Sequence, residues 1–365
     1  MRTPLLGRRD FLRAAGAGFI AALAPRQAAA LASADAVFAT AYQRRDGAYG
    51  VAVLTEAGDL VHTLELPDRG HDITYDPVSG RSVVFARQPG TFATVFDHRG
   101  KTEPLTIASV EGRHFYGHGV FSPDGAILYA TENDFDRAAG MVGVYDAREG
   151  FRRIGEFPTQ GIGPHELLLL ADGRTLAIAN GGIETHPDYG RAKLNLPTMQ
   201  PSFVLVDRLH GDLVEKHALP SDLHQLSIRH MAVDGAEKIW FGCQYEGPQS
   251  DRPGLVGTFS RKGGLKLVDL PAGVLGGFRN YIGSVASNPQ SGTVAVSSPQ
   301  GNSYAVLDAA DGRVLAARSL VEVCGLAAEG DGFVATTGTG EIVKPDGSEL
   351  TRADYVWDNH MLRIG

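Results

Sequence analysis

The stretch "HGVFSPDGAILYATENDFDRAAGMVGVYDAREGFRRIGEFP", residues 118–158, decides the fold. It opens on an alternating strand, "HGVFS", turns at Pro123-Asp124-Gly125, and returns as a second apolar strand, "AILYATEN". A polar loop, "DFDRAAG", leads to a third strand and turn, "MVGVYDAREG", and "FRRIGEFP" supplies a fourth. Period-two alternation marks half-buried strands, not helices. Pro-Asp-Gly presets one φ and tolerates φ > 0 where neighbouring strands reverse. The unit is therefore a four-stranded antiparallel sheet.

The same order recurs at residues 71–107 ("HDITYDPVSGRSVVFARQPGTFATVFDHRGKTEPLTI") and from "HELLLLADGRTLAIANGG" (165–182) to "SFVLVDRLHGDLVEKHALP" (202–220). It recurs in "HMAVDGAEKIWFGCQ" with "GLVGTFSRKGGLKLVDLP", then in residues 283–320, and in a shorter form in residues 324–350. The remainder makes a seventh unit split between the ends: "NHMLRI" (359–364) supplies an inner strand, and residues 36–67 supply the other three. Four strands per unit, repeated about an axis and closed by joining the termini, is the propeller solution to the exposed-edge problem. The expected fold is all-β, a seven-bladed β-propeller over residues 36–365. The repeats resemble the YVTN-type β-propellers of bacterial surface and periplasmic proteins.

The first 30 residues stand outside that pattern. "GRRDFLRAAGAGFIAALAPRQAAA" carries Arg8, Arg9, Phe11 and Leu12, an apolar run from Ala14 to Ala24 and an Ala-rich end, the layout of a twin-arginine signal peptide. The apolar run is too short to span a bilayer, and no other run of about 18 or more apolar residues follows. A periplasmic protein with no transmembrane span in its mature form is expected. Without residues 1–30 the chain loses five Arg and one Asp, leaving 29 basic against 41 acidic residues, a net charge of −12. That acidity argues against nucleic acid as a partner. Cys243 and Cys324 lie 81 residues apart in different units and are not expected to form a disulfide.

The residue that opens the inner strand of successive units is His71, His118, His165, His230, Gly283, Cys324 and His360. Both His71 to His118 and His118 to His165 span 47 residues, and only 12 His occur among the 365 residues, so five at equivalent positions is a pattern. Inner strands line a propeller's axis, and residues at their starts converge there. Clustered imidazoles repel when protonated and are unsatisfied when dry, whereas a metal ion or an anion relieves both problems. Neutral imidazole suits zinc, copper, iron and nickel, and Cys324 or Glu166 offers a thiolate or carboxylate. Asp72 and Glu166, each directly after a ring histidine, are alternatively placed to orient imidazole N–H groups. His114 and His224 precede ring histidines and are candidates for outer contacts, while His62, His98, His210 and His217 are expected to be solvated.

His165 to His230 spans 65 residues, and the excess lies in "GGIETHPDYGRAKLNLPTMQPS". Strand alternation puts this insertion on the face where the inner strands start, where it is either a lid bringing His186, Tyr189 or Arg191 over the ring or a plain surface loop. The same face would receive Arg113, Tyr116, Arg279, Asn280, Tyr281 and Trp357, groups that suit a carboxylate or phosphate as readily as they dress a metal. No Walker loop, helix-opening G-x-G-x-x-G, G-x-S-x-G elbow or C-x-x-C-H site occurs.

Together with the signal, "GHGVFSPDG", "GPHELLLLADGRTLAIANGG", "RHMAVD" and the closing "DNHML" make the chain similar to a bacterial family catalogued as a domain of unknown function. Its members are exported propellers whose genes tend to accompany those of imelysin-like proteins of periplasmic iron uptake. The resemblance implies an iron-related role and periplasmic iron-uptake proteins as partners. The ring also resembles that of the nitrous oxide reductase propeller, which holds a copper cluster. Here Gly283 and Cys324 stand where a full set needs His, and no cupredoxin domain follows, so the likeness does not extend to nitrous oxide chemistry. The leading expectation is a periplasmic protein that binds iron or copper on the ring and handles or senses it. A lactonase- or lyase-like enzyme using ring His as acid/base, and an interaction scaffold of an uptake system, are the alternatives.

Overall fold

Strand alternation and tight turns are realised as 28 strands in seven four-stranded antiparallel sheets among the described residues, which in this computed structural model are 37–344 and 346–364. The export signal expected in residues 1–30 lies outside the described residues. Six of the seven sheets follow chain order across the blade. The unit read first contains Arg113–Phe121, Ile127–Asp134, Ala139–Asp146 and Arg152–Pro158, paired in that order. Gly125, at φ 65°, sits in its first turn, as the Pro-Asp-Gly signature demands.

The seventh sheet closes the ring. Its inner strand, Tyr355–Arg363, comes from the C-terminal end and pairs antiparallel with Phe38–Arg44, with Phe38 opposite Arg363. Tyr49–Leu54 and Leu60–Leu66 complete it. The seven-bladed propeller is thus as the repeats predict, including its split blade.

Burial is deepest in the middle strands of a blade and least in the outermost. The third strand of the insertion-bearing blade, Ser202–Asp207, is buried throughout, whereas an outermost strand such as Val314–Ser319 is largely exposed. Packing occurs between neighbouring blades. Phe203 packs at a tilt on Phe259 across a blade boundary at a centroid distance of 4.4 Å, within a cluster that also holds Trp240, Phe241 and Phe278. Cys243 and Cys324 are both buried and free. No helix among the described residues is long and apolar enough to cross a membrane.

Candidate metal centre

Five inner strands bring a histidine to the axis, and in each the antiparallel register slips at or beside that residue. The shifts fall between Gly70 and Ile73, Phe115 and Gly119, Pro164 and Glu166, and Ile228 and His230, and on the closing strand between Trp357 and Met361. A bulge puts an extra residue opposite one partner, increases local twist and re-aims the side chain. The blade that opens on Gly283 keeps an unbroken register from Ser284–Ser297 to Asn288–Thr293. Gly117 is part of the device. At φ 105° it adopts a conformation closed to most residues, and a Cβ there would lie 2.6 Å from Cδ2 of His71, so the glycine lets one blade's imidazole pack over the next blade's backbone.

The rings pack tightly. Centroids lie 4.5 Å apart for His71–His360, 4.6 Å for His165–His230, and 4.8 Å for His118–His165, His118–His360 and His230–His360. Two groups have donor atoms all within 4.8 Å of one another and could hold a metal ion: His118, His165, Glu166 and His230, and His71, His118 and His360. His118 belongs to both.

Carboxylates set the imidazole orientations. His71 Nδ1 lies 3.0 Å from Asp358 Oδ1, and His118 Nδ1 lies 3.1 Å from Asp72 Oδ2. An Nδ1–H donated to a carboxylate leaves Nε2 with its lone pair free. Asp72 also approaches His360 Nδ1 at 3.8 Å, and Glu166 approaches His230 Nδ1 at 3.5 Å while accepting the Met231 N–H at 3.0 Å. Among the described residues, His118 Nε2, His165 Nδ1, His230 Nδ1 and His360 Nε2 are buried with no hydrogen-bond partner.

Burial, reinforced by neighbouring histidines, pushes His71, His165 and His230 well below the usual imidazole range. Burial likewise takes His360 down to about 4. These four are neutral lone-pair donors at neutral pH. His118 moves the other way: burial opposes its charge, but Asp72 and Glu166 outweigh burial and raise it. Glu166 is pushed up to about 8 by burial, against the pull of His118. Asp358 stays ionised despite burial because Arg87, His71 and Arg69 hold it well below the usual carboxylate range.

Other expected residues fall into three places. Tyr116, Tyr281 and Arg191 line a cavity of about 230 Å³ with His71, His165 and His230. Asp72, Glu166 and His360 border a second cavity of about 380 Å³. The rest lie elsewhere. Cys324 donates its thiol to the Glu322 carbonyl at 3.1 Å, is raised to about 12 by burial, and belongs to neither donor group. Arg113 is taken up by Glu156, at 2.7 and 3.0 Å, and by Asp134. His114 is buried against the Phe115 carbonyl and Asn133. His224 contacts the Ser221 carbonyl on the periphery. Trp357 is a core residue beside Tyr42 and Tyr355.

Arg279 is exposed and outside the cavity lining, and the Asn280 amide is spent on the Asp251 carbonyl. The insertion supplies Ile183, Thr185, Arg191 and Lys193 to the cavity, but His186 caps a short 3-10 turn and Tyr189 is 64% exposed. His98, expected in solvent, is buried with Nε2 2.6 Å from Ser82 Oγ, and only His210 of the four outer histidines is exposed.

Arg69, Arg87, Lys193, Arg229 and Asp358 escaped the sequence reading. Two of them had a local signal: Arg229 directly precedes His230, and Asp358 stands in the closing "DNH".

Residues 64–364 match the family described as "Protein of unknown function (DUF1513)". Among solved structures, Kuenenia stuttgartiensis hydrazine synthase is similar, with a TM-score of 0.59 and 15% identity over 81% of this chain and 91% of that chain. At that identity the likeness speaks for the propeller fold alone. No curated protein matches the chain.

Proposed function

The chain belongs to the DUF1513 family, and from that premise we propose that it is a periplasmic metal-binding propeller. It holds iron or copper on His71, His118, His165, His230 and His360, and handles or senses that metal for an uptake system. The observation that carries this reading is the set of four buried imidazole nitrogens without a hydrogen-bond partner. Each unsatisfied buried polar atom costs about 1–3 kcal/mol, and a cation shared by neutral imidazoles removes several such costs together.

The donors are nitrogen with one carboxylate in reach, a set that suits iron and copper(II). Metal–imidazole bonds of about 2.0–2.1 Å bring ligand nitrogens within roughly 4.2 Å of one another. The 4.8 Å groups therefore contract slightly when filled. The twin-arginine pattern at Arg8 and Arg9 supports the location, since that route exports folded proteins, cofactor included.

Elemental analysis of protein purified from periplasm without chelator tests the reading. Stoichiometric iron or copper is expected in the native chain and none in a folded His118→Ala, His165→Ala variant. Equal metal in both, or none in either with both folded, overturns it. Recovery from the periplasm should disappear when Arg8 and Arg9 are replaced by Lys; export that survives this change removes the location from the proposal.

A further inference from the structure

The bulge that re-aims His230 inserts Arg229 ahead of it, and this guanidinium faces the 230 Å³ cavity with His71, His165 and His230. Its side chain is 14% exposed; Nε donates to Ser227 Oγ at 3.0 Å, and the carboxylate facing its terminal nitrogens, Glu246, stands off at 3.9 Å. The terminal N–H groups thus have no hydrogen-bond acceptor among the described residues. Arg191, carried over the cavity by the insertion, makes no hydrogen bond or ion pair among the described residues. The insertion is pinned there by Gln88 and Tyr116, which reach Thr185 Oγ1 at 2.7 and 3.0 Å.

The charges around this cavity do not balance. Arg69 and Arg87 share Asp358, and Lys193 and Arg229 share Glu246. Arg191 has no carboxylate; Arg87, Arg191, Lys193 and Arg229 line the cavity and no carboxylate does, and with Arg69 behind them the group counts five cations to two anions, a surplus of three. Counting Glu184, which neighbours Tyr116, still leaves a surplus of two. A buried guanidinium such as Arg229 is costly to keep without a close counter-ion, and a guanidinium fork matches a carboxylate's two oxygens. Tyr281, whose hydroxyl lies 3.4 Å from Asn359 Nδ2, adds a neutral polar group to the same wall. At about 230 Å³ the space lies below the ~300–1,000 Å³ typical of drug-sized ligands, so the occupant is compact.

We infer that this cavity binds a compact di- or tricarboxylate, seated on Arg229 and Arg191 directly over the histidine ring. The site stands on the cations alone. Its consequence for cargo rests on the metal reading: a carboxylate held here lies beside ring donors, so metal would arrive or leave as a carboxylate chelate.

The test is calorimetric titration of the chelator-dialysed full chain with tricarballylate, a tricarboxylate without a chelating hydroxyl. Saturable binding that weakens with added salt is expected, with acetate silent at the same concentrations. Arg191→Gln, at an exposed and unpartnered position, should weaken binding about tenfold or more, Arg229→Gln further, and Arg279→Gln on the same face not at all. No binding by the folded native chain, or undiminished binding by Arg191→Gln, overturns the site. Equally tight binding of inorganic phosphate overturns its carboxylate class. Stoichiometric metal without tricarballylate binding removes this inference and leaves the metal reading standing, whereas tricarballylate binding by a chain that never takes metal does the reverse.

Discussion

Asp72 has two imidazoles to orient, with one oxygen 3.1 Å from His118 Nδ1 and the other 3.8 Å from His360 Nδ1. Asp72→Asn keeps the shape and loses the charge that favours Nδ1–H on His118. Metal affinity should fall about 10- to 100-fold with the fold unchanged, measured by competition against a chromophoric chelator; undiminished affinity would remove Asp72 from the site. His98 gives a separate prediction, away from the ring. Burial lowers it from 6.5 to about 4, so the folded chain prefers the neutral form while the unfolded chain takes up the proton first. Its stabilisation is complete above pH 6.5 and is lost as pH falls towards 4, on the order of 2 kcal/mol after discounting for residual solvent. Urea midpoints at pH 7 and pH 4.5 should therefore diverge less in His98→Gln than in the native chain, and an identical divergence would assign the acid sensitivity elsewhere. At this scale the ring histidines were legible because a 47-residue period and a turn signature locate them. Asp358 stands in the same closing motif as His360, but its pairing was not legible, because its partners Arg69 and Arg87 lie 289 and 271 residues away.

Bulges on the inner strands turn a row of backbone positions into a converging cluster. Nothing in the alternation announces them, since the apolar pattern resumes beyond each slip and the extra residue resembles its neighbours. The one local trace is Gly117, whose φ of 105° and contact with the His71 ring leave no room for a side chain. Gly117→Ala should displace His71, reduce metal stoichiometry and cost about 1–3 kcal/mol of stability. Metal analysis alongside urea unfolding checks this, and a variant with full metal and native stability would mean that the bulge does not position the ring. The insertion between Asn180 and Ser202 was legible as extra length, but its role was not. Arg191 and Lys193 reach the cavity through contacts of Thr185 with two other blades, whereas His186 is spent on capping its own turn.

Closure of the ring ties the ends of the described chain together and completes the site, because the strand carrying His360 pairs with the first strand, Phe38–Arg44. Trp357 locks that joint at 2% exposure, 6.2 Å from Tyr42 and 5.1 Å from Tyr355, with its Nε1 lacking a partner among the described residues. Trp357→Ala should cost about 3–5 kcal/mol and weaken metal retention with it. Trp357→Phe, which keeps much of the ring and removes the unsatisfied N–H, should cost under about 1.5 kcal/mol. Equal urea midpoints for the two variants would show that the joint does not depend on this packing. The sequence by itself determined the blade count, the strand order, the split blade and the convergence of five histidines, because alternation, turns and repeat length are local and a closed ring carries them to the axis. Only the tertiary structure decided which imidazoles receive a carboxylate, which nitrogens stay bare, and that arginines from separate blades gather over them. Those pairings depend on how neighbouring blades bulge and pack, and residues up to 289 positions apart meet there with no pattern along the chain to declare it.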